Sequence, residues 1–316
     1  MLNLLKNIFS RSDDVGTRLP SSLVKMAIER AVDGTDPRLR IVSGYAKALR
    51  KPVTHAIEHV IDLVEGFPAP VAVGRATLTE NPAFAALFYS EERMQQILSR
   101  DAALRDFRAA NRASITPITA LLVAQRTDKR GFGTALVGDQ VMSDVPRTTV
   151  SFDQHRLLEP ATDEQETRRL LMRRAFDHLL SIALEQVTER KDERENLTSR
   201  KALLRSKLDV LRRGGGFSSQ NSAAELGQLQ TRLDDIDRQL SEIGSRDDTL
   251  SGNMDMVAGV LAAAEQHLWQ VDNLLCLDRL YVLHDQPGPA APATVFKELR
   301  NSEGMQATIM MISIGS

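Results

Sequence analysis

The chain has 316 residues, a formal net charge of −2, 4 % aromatic residues and one cysteine. That length holds one large or two ordinary domains with real cores, and the balanced charge excludes a global pull toward nucleic acid or anionic membrane. A single cysteine, Cys276, excludes an internal disulfide framework and fits a reducing, cytoplasmic compartment.

The first 113 residues read as helical. Leu2, Leu4, Leu5, Ile8 and Phe9 make a short amphipathic start, able to dock on its own domain, on a partner or weakly on a membrane surface. It is too short for a secretory signal, and no run approaches the roughly 20 apolar residues of a membrane span. A helix near Ser21–Val32 follows Pro20 and ends at the loop Asp33–Pro37. Another spans about Thr54–Glu65 and stops before Gly66 and Pro68. A third spans Ser90–Asn111, with Glu91 and Glu92 at its positive end.

The hydrophobic period changes near Ile115. Ile118–Gln125 and Gly133–Val141 read as strands joined by a turn over Thr127–Gly131, and Thr148–Phe152 as a third strand. Leu274–Leu283 and Ala307–Ile314 are again strand-like. Between these two β regions the period becomes helical. Leu226, Leu229, Leu233, Ile236, Leu240, Ile243, Leu250, Met254, Val257, Leu261, Ala264 and Leu268 recur in steps of three and four, an a/d seam with one polar position, Asp247. Phe176, Leu180, Ala183, Val187, Leu197, Leu204, Leu208 and Leu211 form a looser seam interrupted by Arg190, Arg194 and Lys201. Gly214, Gly215 and Gly216, followed by Phe217, Ser218 and Ser219, suit a reversal between the two.

If Leu211 meets Leu226, then Leu204 meets Leu233, Leu197 meets Leu240, Leu180 meets Val257 and Phe176 meets Leu261. Arg190 then faces Asp247, so the polar oddities of both seams pair and set the register. Residues 161–213 carry 13 basic and 10 acidic side chains, and residues 222–268 carry 3 and 9. Opposite signs favour pairing within the chain; a dimer exchanging arms is the structural rival. Gly244, Ser245, Ser251 and Gly252 bracket Asp247 and allow the second arm to kink there.

The expected fold is therefore α+β and predominantly helical. A helical N-terminal region (1–113) precedes a small antiparallel β head (114–160 with 269–316). A long antiparallel coiled-coil hairpin (161–268, tip near 212–225) is inserted between the sheet strands.

His55-Ala56-Ile57-Glu58-His59 has the H-x-x-E-H pattern and resembles the metal motif of the inverted zincins. The resemblance implies His55 and His59 as zinc ligands and Glu58 as the water-activating base. It covers five residues only. The third, glutamate ligand of that family is missing, for no glutamate lies between Glu92 and Glu159. A head bearing a helical arm is similar in outline to the long-armed chromosome-organising ATPases, yet no G-x-x-x-x-G-K-[ST] occurs, and Gly131-Phe132-Gly133 and Gly214–Gly216 lack a phosphate-loop context. Cys276 reads as a buried structural thiol, and His155, His178, His267 and His284 show no ligand spacing. Trp269, at the end of the seam, is expected to pack where arm meets head.

Arg200, Lys201, Arg205, Lys207, Arg212 and Arg213 give the hairpin a basic distal end, with acidic Asp234, Asp235, Asp237 and Glu242 running alongside. The function this composition favours is a non-enzymatic cytoplasmic interaction or scaffold protein, without cofactor, that presents its arm to a protein partner. Nucleic-acid binding through the basic end is the first alternative, and zinc-dependent hydrolysis through His55, Glu58 and His59 the second.

Overall fold

A computed structural model describes residues 19–111, 117–137, 140–213, 221–243 and 246–315, with side chains also left undescribed at 135–142, 212–225 and 244–249. The architecture is α+β, with a long helix set between sheet strands. The chain divides into two compact units, each built from two stretches: residues up to Ile57 with Asp177–Ala264, and Glu58–Phe176 with Glu265–Ser316. The N-terminal helical region thus contributes to both. The amphipathic start at Leu2–Phe9 and the glycine-rich reversal lie outside the described residues.

In the first unit, α1 (Ser21–Gly34) buries Leu23, Val24, Ala27, Ile28, Ala31 and Val32 on one stripe. It ends where a Cβ on Gly34 would come within 3.2 Å of Leu180. Asp36 then caps a 3-10 turn (Pro37–Ile41) by accepting from the Arg38 amide, with Pro37 at the first position. The other Asp36 oxygen accepts from Asn253 at 3.2 Å, and Arg30 pairs with Asp177. α2 (Tyr45–Glu65) follows.

The helical insertion comprises α7 (Glu164–Arg213), α8 (Asn221–Ile243) and α9 (Arg246–Ala262). Leu197, Leu204, Leu208, Leu229, Leu233 and Ile236 form one buried cluster, flanked by Leu211, Leu226, Leu240 and Ile243. These are seam residues of both arms, packed against one another. Lys201 bonds Asp237, while Arg190 reaches Ile243, so lower numbers on α7 meet higher numbers on the second arm and the arms run antiparallel. The second arm is two helices. Its seam ends earlier than the heptads imply, since Leu268 opens a strand.

In the second unit, α3 (Arg75–Glu80), α4 (Pro82–Phe88), α5 (Glu91–Arg100) and α6 (Ala102–Ala110) pack on a seven-stranded sheet. The helix expected over Ser90–Asn111 is two, because Asp101 caps α6 by accepting from the Leu104 amide; its second oxygen accepts from Leu157 on the sheet. The strands are β1 (Val71–Ala72), β2 (Ile118–Val137), β3 (Gln140–Ala161), β4 (Leu268–Leu277), β5 (Val282–His284), β6 (Ala293–Asn301) and β7 (Gln306–Ile314). Their order is β1-β7-β2-β3-β5-β4-β6, and β6 pairs back to β7. Six antiparallel strands therefore close on themselves, and β1 adds in parallel, which makes the sheet mixed. Phe84, Phe88, Leu122, Phe152, Phe296 and Ile312 are central to the core.

The turn expected at Thr127–Gly131 is absent: β2 runs through it in unbroken pairing with β3 as far as Val137 opposite Gln140. The register shifts three times, and on β3 each shift carries a non-glycine residue at positive φ: Asp144, Gln154 and Glu159. These are β-bulges, which add twist and help a sheet close. Gln154 is exposed and holds φ 53°. Gln154→Gly is expected to raise stability by about 0.5–1 kcal/mol, because glycine carries no left-handed penalty; an unchanged or lower thermal midpoint counts against the bulge assignment.

Candidate functional site

The distal hairpin is built from two stripes on one helix. Leu204, Leu208 and Leu211 of α7 turn into the seam against α8. One residue earlier, Leu203 and Val210 stand seven apart on an adjoining face, with Lys207 between them. Leu203 is 58 % and Val210 66 % exposed. The seam is already filled, so this second stripe has no use within the pair of helices. Beside it lies a groove of about 460 Å³ lined by Ser206, Lys207, Val210, Leu211, Gln228, Leu229 and Arg232. Val210, Leu211 and Leu229 give its lining an apolar part, and Lys207 and Arg232 give it positive charge.

The basic end is only partly neutralised by the acidic arm. Lys201 bonds Asp237, but Asp235 is taken by Arg238 of its own helix and Asp234 accepts from Gln230. Arg200, Arg205 and Lys207 are exposed and form no ion pair among the described residues. Arg212 and Arg213 lie on the last turn of α7, with side chains outside the described set.

Asp247, the expected partner of Arg190, has its side chain outside that set as well. Arg190 itself donates through Nη2 to the Ile243 carbonyl at 2.8 Å, with Nη1 3.6 Å from the Met256 sulfur. It thereby satisfies a carbonyl at the C-terminal, negative end of α8. A Cβ on Gly252 would come within 2.4 Å of the same guanidinium, which explains a glycine in mid-helix there.

The zincin-like residues do not converge. His55 and Glu58 are exposed on α2, while Nε2 of half-buried His59 lies 2.7 Å from the Leu268 carbonyl. A carbonyl only accepts, so that nitrogen carries the proton and has no lone pair for a metal. Among the described residues no group of three or more His, Cys, Asp or Glu is placed to hold a metal ion. Cys276 is buried on β4. Trp269 is also on β4, opposite Arg300. His155 stacks on Phe88 and meets the Leu87 carbonyl; its burial pushes its pKa down.

Two clusters carry no obvious sequence signal. Glu298, on β6, is fully buried and accepts from Asn273 (2.8 Å), Arg300 (2.7 Å) and Gln306 (2.7 Å), with Arg126 3.7 Å away. Burial alone would push its carboxyl up, but those hydrogen bonds outweigh it and hold the carboxyl below the usual range. The second cluster is the outer part of the β2–β3 ladder, with Phe132 73 % exposed. Among the described residues no helix is long and apolar enough to cross a membrane. Comparison with protein-family models, with curated proteins and with solved structures finds no match for this chain.

Proposed function

We propose that this chain is a non-enzymatic interaction protein of the cytoplasm that captures a protein partner on the distal part of its helical hairpin. The observation that carries the reading is the outer stripe of Leu203 and Val210 beside a groove flanked by Lys207 and Arg232. Apolar residues outside a filled two-helix seam are what a third helix needs, and the flanking cations favour an acidic one. The single buried cysteine agrees with a reducing compartment.

A photo-crosslinking residue in place of Val210, introduced in the native host, is expected to give one discrete adduct with another protein. Leu203→Glu should abolish that adduct while leaving the thermal midpoint unchanged. No adduct, an adduct with a second copy of the chain, or an adduct indifferent to Leu203→Glu contradicts the reading.

A second reading, nucleic-acid binding by this end, draws on the exposed Arg200, Arg205 and Lys207. It requires binding that weakens with salt and disappears in the Arg200→Glu/Arg205→Glu variant.

A further inference from the structure

We propose that the ribbon formed by β2 and β3 binds single-stranded nucleic acid, with Phe132 as a stacking platform for a base and Arg130, on the same face, as the phosphate contact. This site is separate from the hairpin and does not depend on its role.

β2 pairs with β7 only from Ile118 to Ala124, and β3 pairs with β5 only at Thr148 and Thr149. From Gly131 outward, each strand has only the other as its ladder partner among the described residues. Residues directly opposite on antiparallel strands share a face. Phe132 therefore shares one face with Arg130, Pro146 and Thr148, and Lys129, Gly131, Gly133 and Arg147 share the other.

Single exposed apolar side chains are ordinary on protein surfaces. The setting of Phe132 distinguishes it. Arg130 lies two residues away on the same face, about 7 Å along the strand, so a base on the ring leaves its phosphate within reach of the guanidinium. On the other face the Arg147 guanidinium lies across Gly133 so closely that a Cβ there would fall 1.9 Å from its Cζ. Arg126 donates twice to Asp128, both at 2.7 Å, which neutralises the carboxylate two residues from Arg130. Lys129, Arg130 and Arg147 form no ion pair among the described residues.

An exposed ring with an exposed cation beside it is the combination single strands use: every base has a face to stack, and the backbone supplies the negative charge. Charges on a free ribbon edge also deter pairing with another chain. That role accepts either sign of charge and needs no aromatic ring, so sign and ring separate the two explanations.

The test is fluorescence anisotropy of labelled mixed-sequence strands of about 20 nucleotides, one DNA and one RNA, against the full chain at about 50 and 200 mM salt. Binding of either strand is expected, weaker at the higher salt. Phe132→Leu, which keeps an apolar side chain, should weaken it about tenfold. Arg130→Gln should lower the salt slope by about 0.7. Arg130→Glu should lose binding yet stay as monomeric as the parent chain. Thermal midpoints establish that each variant is folded. The proposal is overturned by no anisotropy change with either strand at low salt, by binding indifferent to Phe132→Leu, by loss only in Arg200→Glu/Arg205→Glu, or by equal binding to anionic phospholipid vesicles with the same response to the variants.

Discussion

Glu298→Ala is expected to destabilise the sheet-containing unit by about 3–5 kcal/mol, the usual range when one partner of a buried charge network is removed. The carboxylate is fully buried and gathers donors from three strands: Asn273 on β4, Arg300 on β6 and Gln306 on β7. Removing it leaves Arg300 without its acceptor in a partly desolvated position, while Arg126 keeps only Asp128. An unmatched cation there is worse than no ion pair at all. Trp269, the only tryptophan, sits opposite Arg300 and gives a fluorescence readout of this unit. Urea unfolding followed at that residue should show the loss, and a change below about 1 kcal/mol would mean the network contributes little. The sign with pH follows from the depressed pKa. Glu298 contributes its stability above the ordinary glutamate range and loses it as pH falls through the lower folded value. Asp36 acts in the same direction, since the Arg38 hydrogen bond holds its carboxyl down. Both units should therefore weaken on acidification below about pH 4.5.

Truncating the seam is expected to have the second largest effect. Leu204→Ala and Leu233→Ala should each destabilise the distal hairpin by about 2–3 kcal/mol, the low end for buried leucines because a two-helix contact can partly collapse. Both side chains are more than nine-tenths buried in one cluster. Residues that share a contact do not add, so the double variant should differ from the sum by at least about 0.5 kcal/mol. Hydrogen exchange of the α8 amides reads the effect locally. Additive single effects would mean that the two leucines do not touch.

The hairpin was legible because its stabilisation is written in side chains: leucines at three- and four-residue spacing call for burial, and Leu197, Leu204, Leu208, Leu229, Leu233 and Ile236 are buried together. The same code hid what backbone atoms do. Arg190 stood out as a cation in an apolar seam, but the acceptor it meets is the Ile243 carbonyl, which no sequence pattern marks. His59 is a parallel case, its metal-like spacing real and its Nε2 engaged by the carbonyl of Leu268. Thr127–Gly131 reads as a turn because it is polar and ends in glycine, whereas β2 runs straight through it. Its ladder rests on main-chain hydrogen bonds with solvent on both faces, so no apolar alternation announces it, and three bulges shift whatever phase remained. Asp101 divides an otherwise continuous helical pattern because a side-chain cap competes with the helix at its own position. The exposed Leu203 and Val210 were readable as a stripe seven apart, but they are overshadowed by the stronger seam one residue later.

The fold-back register is tested most directly by paired cysteines at Leu204 and Leu233 in a Cys276→Ser background. The account predicts rapid oxidative crosslinking within one chain for this pair, at a rate independent of protein concentration, and slow or no crosslinking for Leu204 with Leu226 or with Leu240. Efficient crosslinking of either shifted pair in preference to 204 with 233, or a bond formed only between two chains, would contradict it.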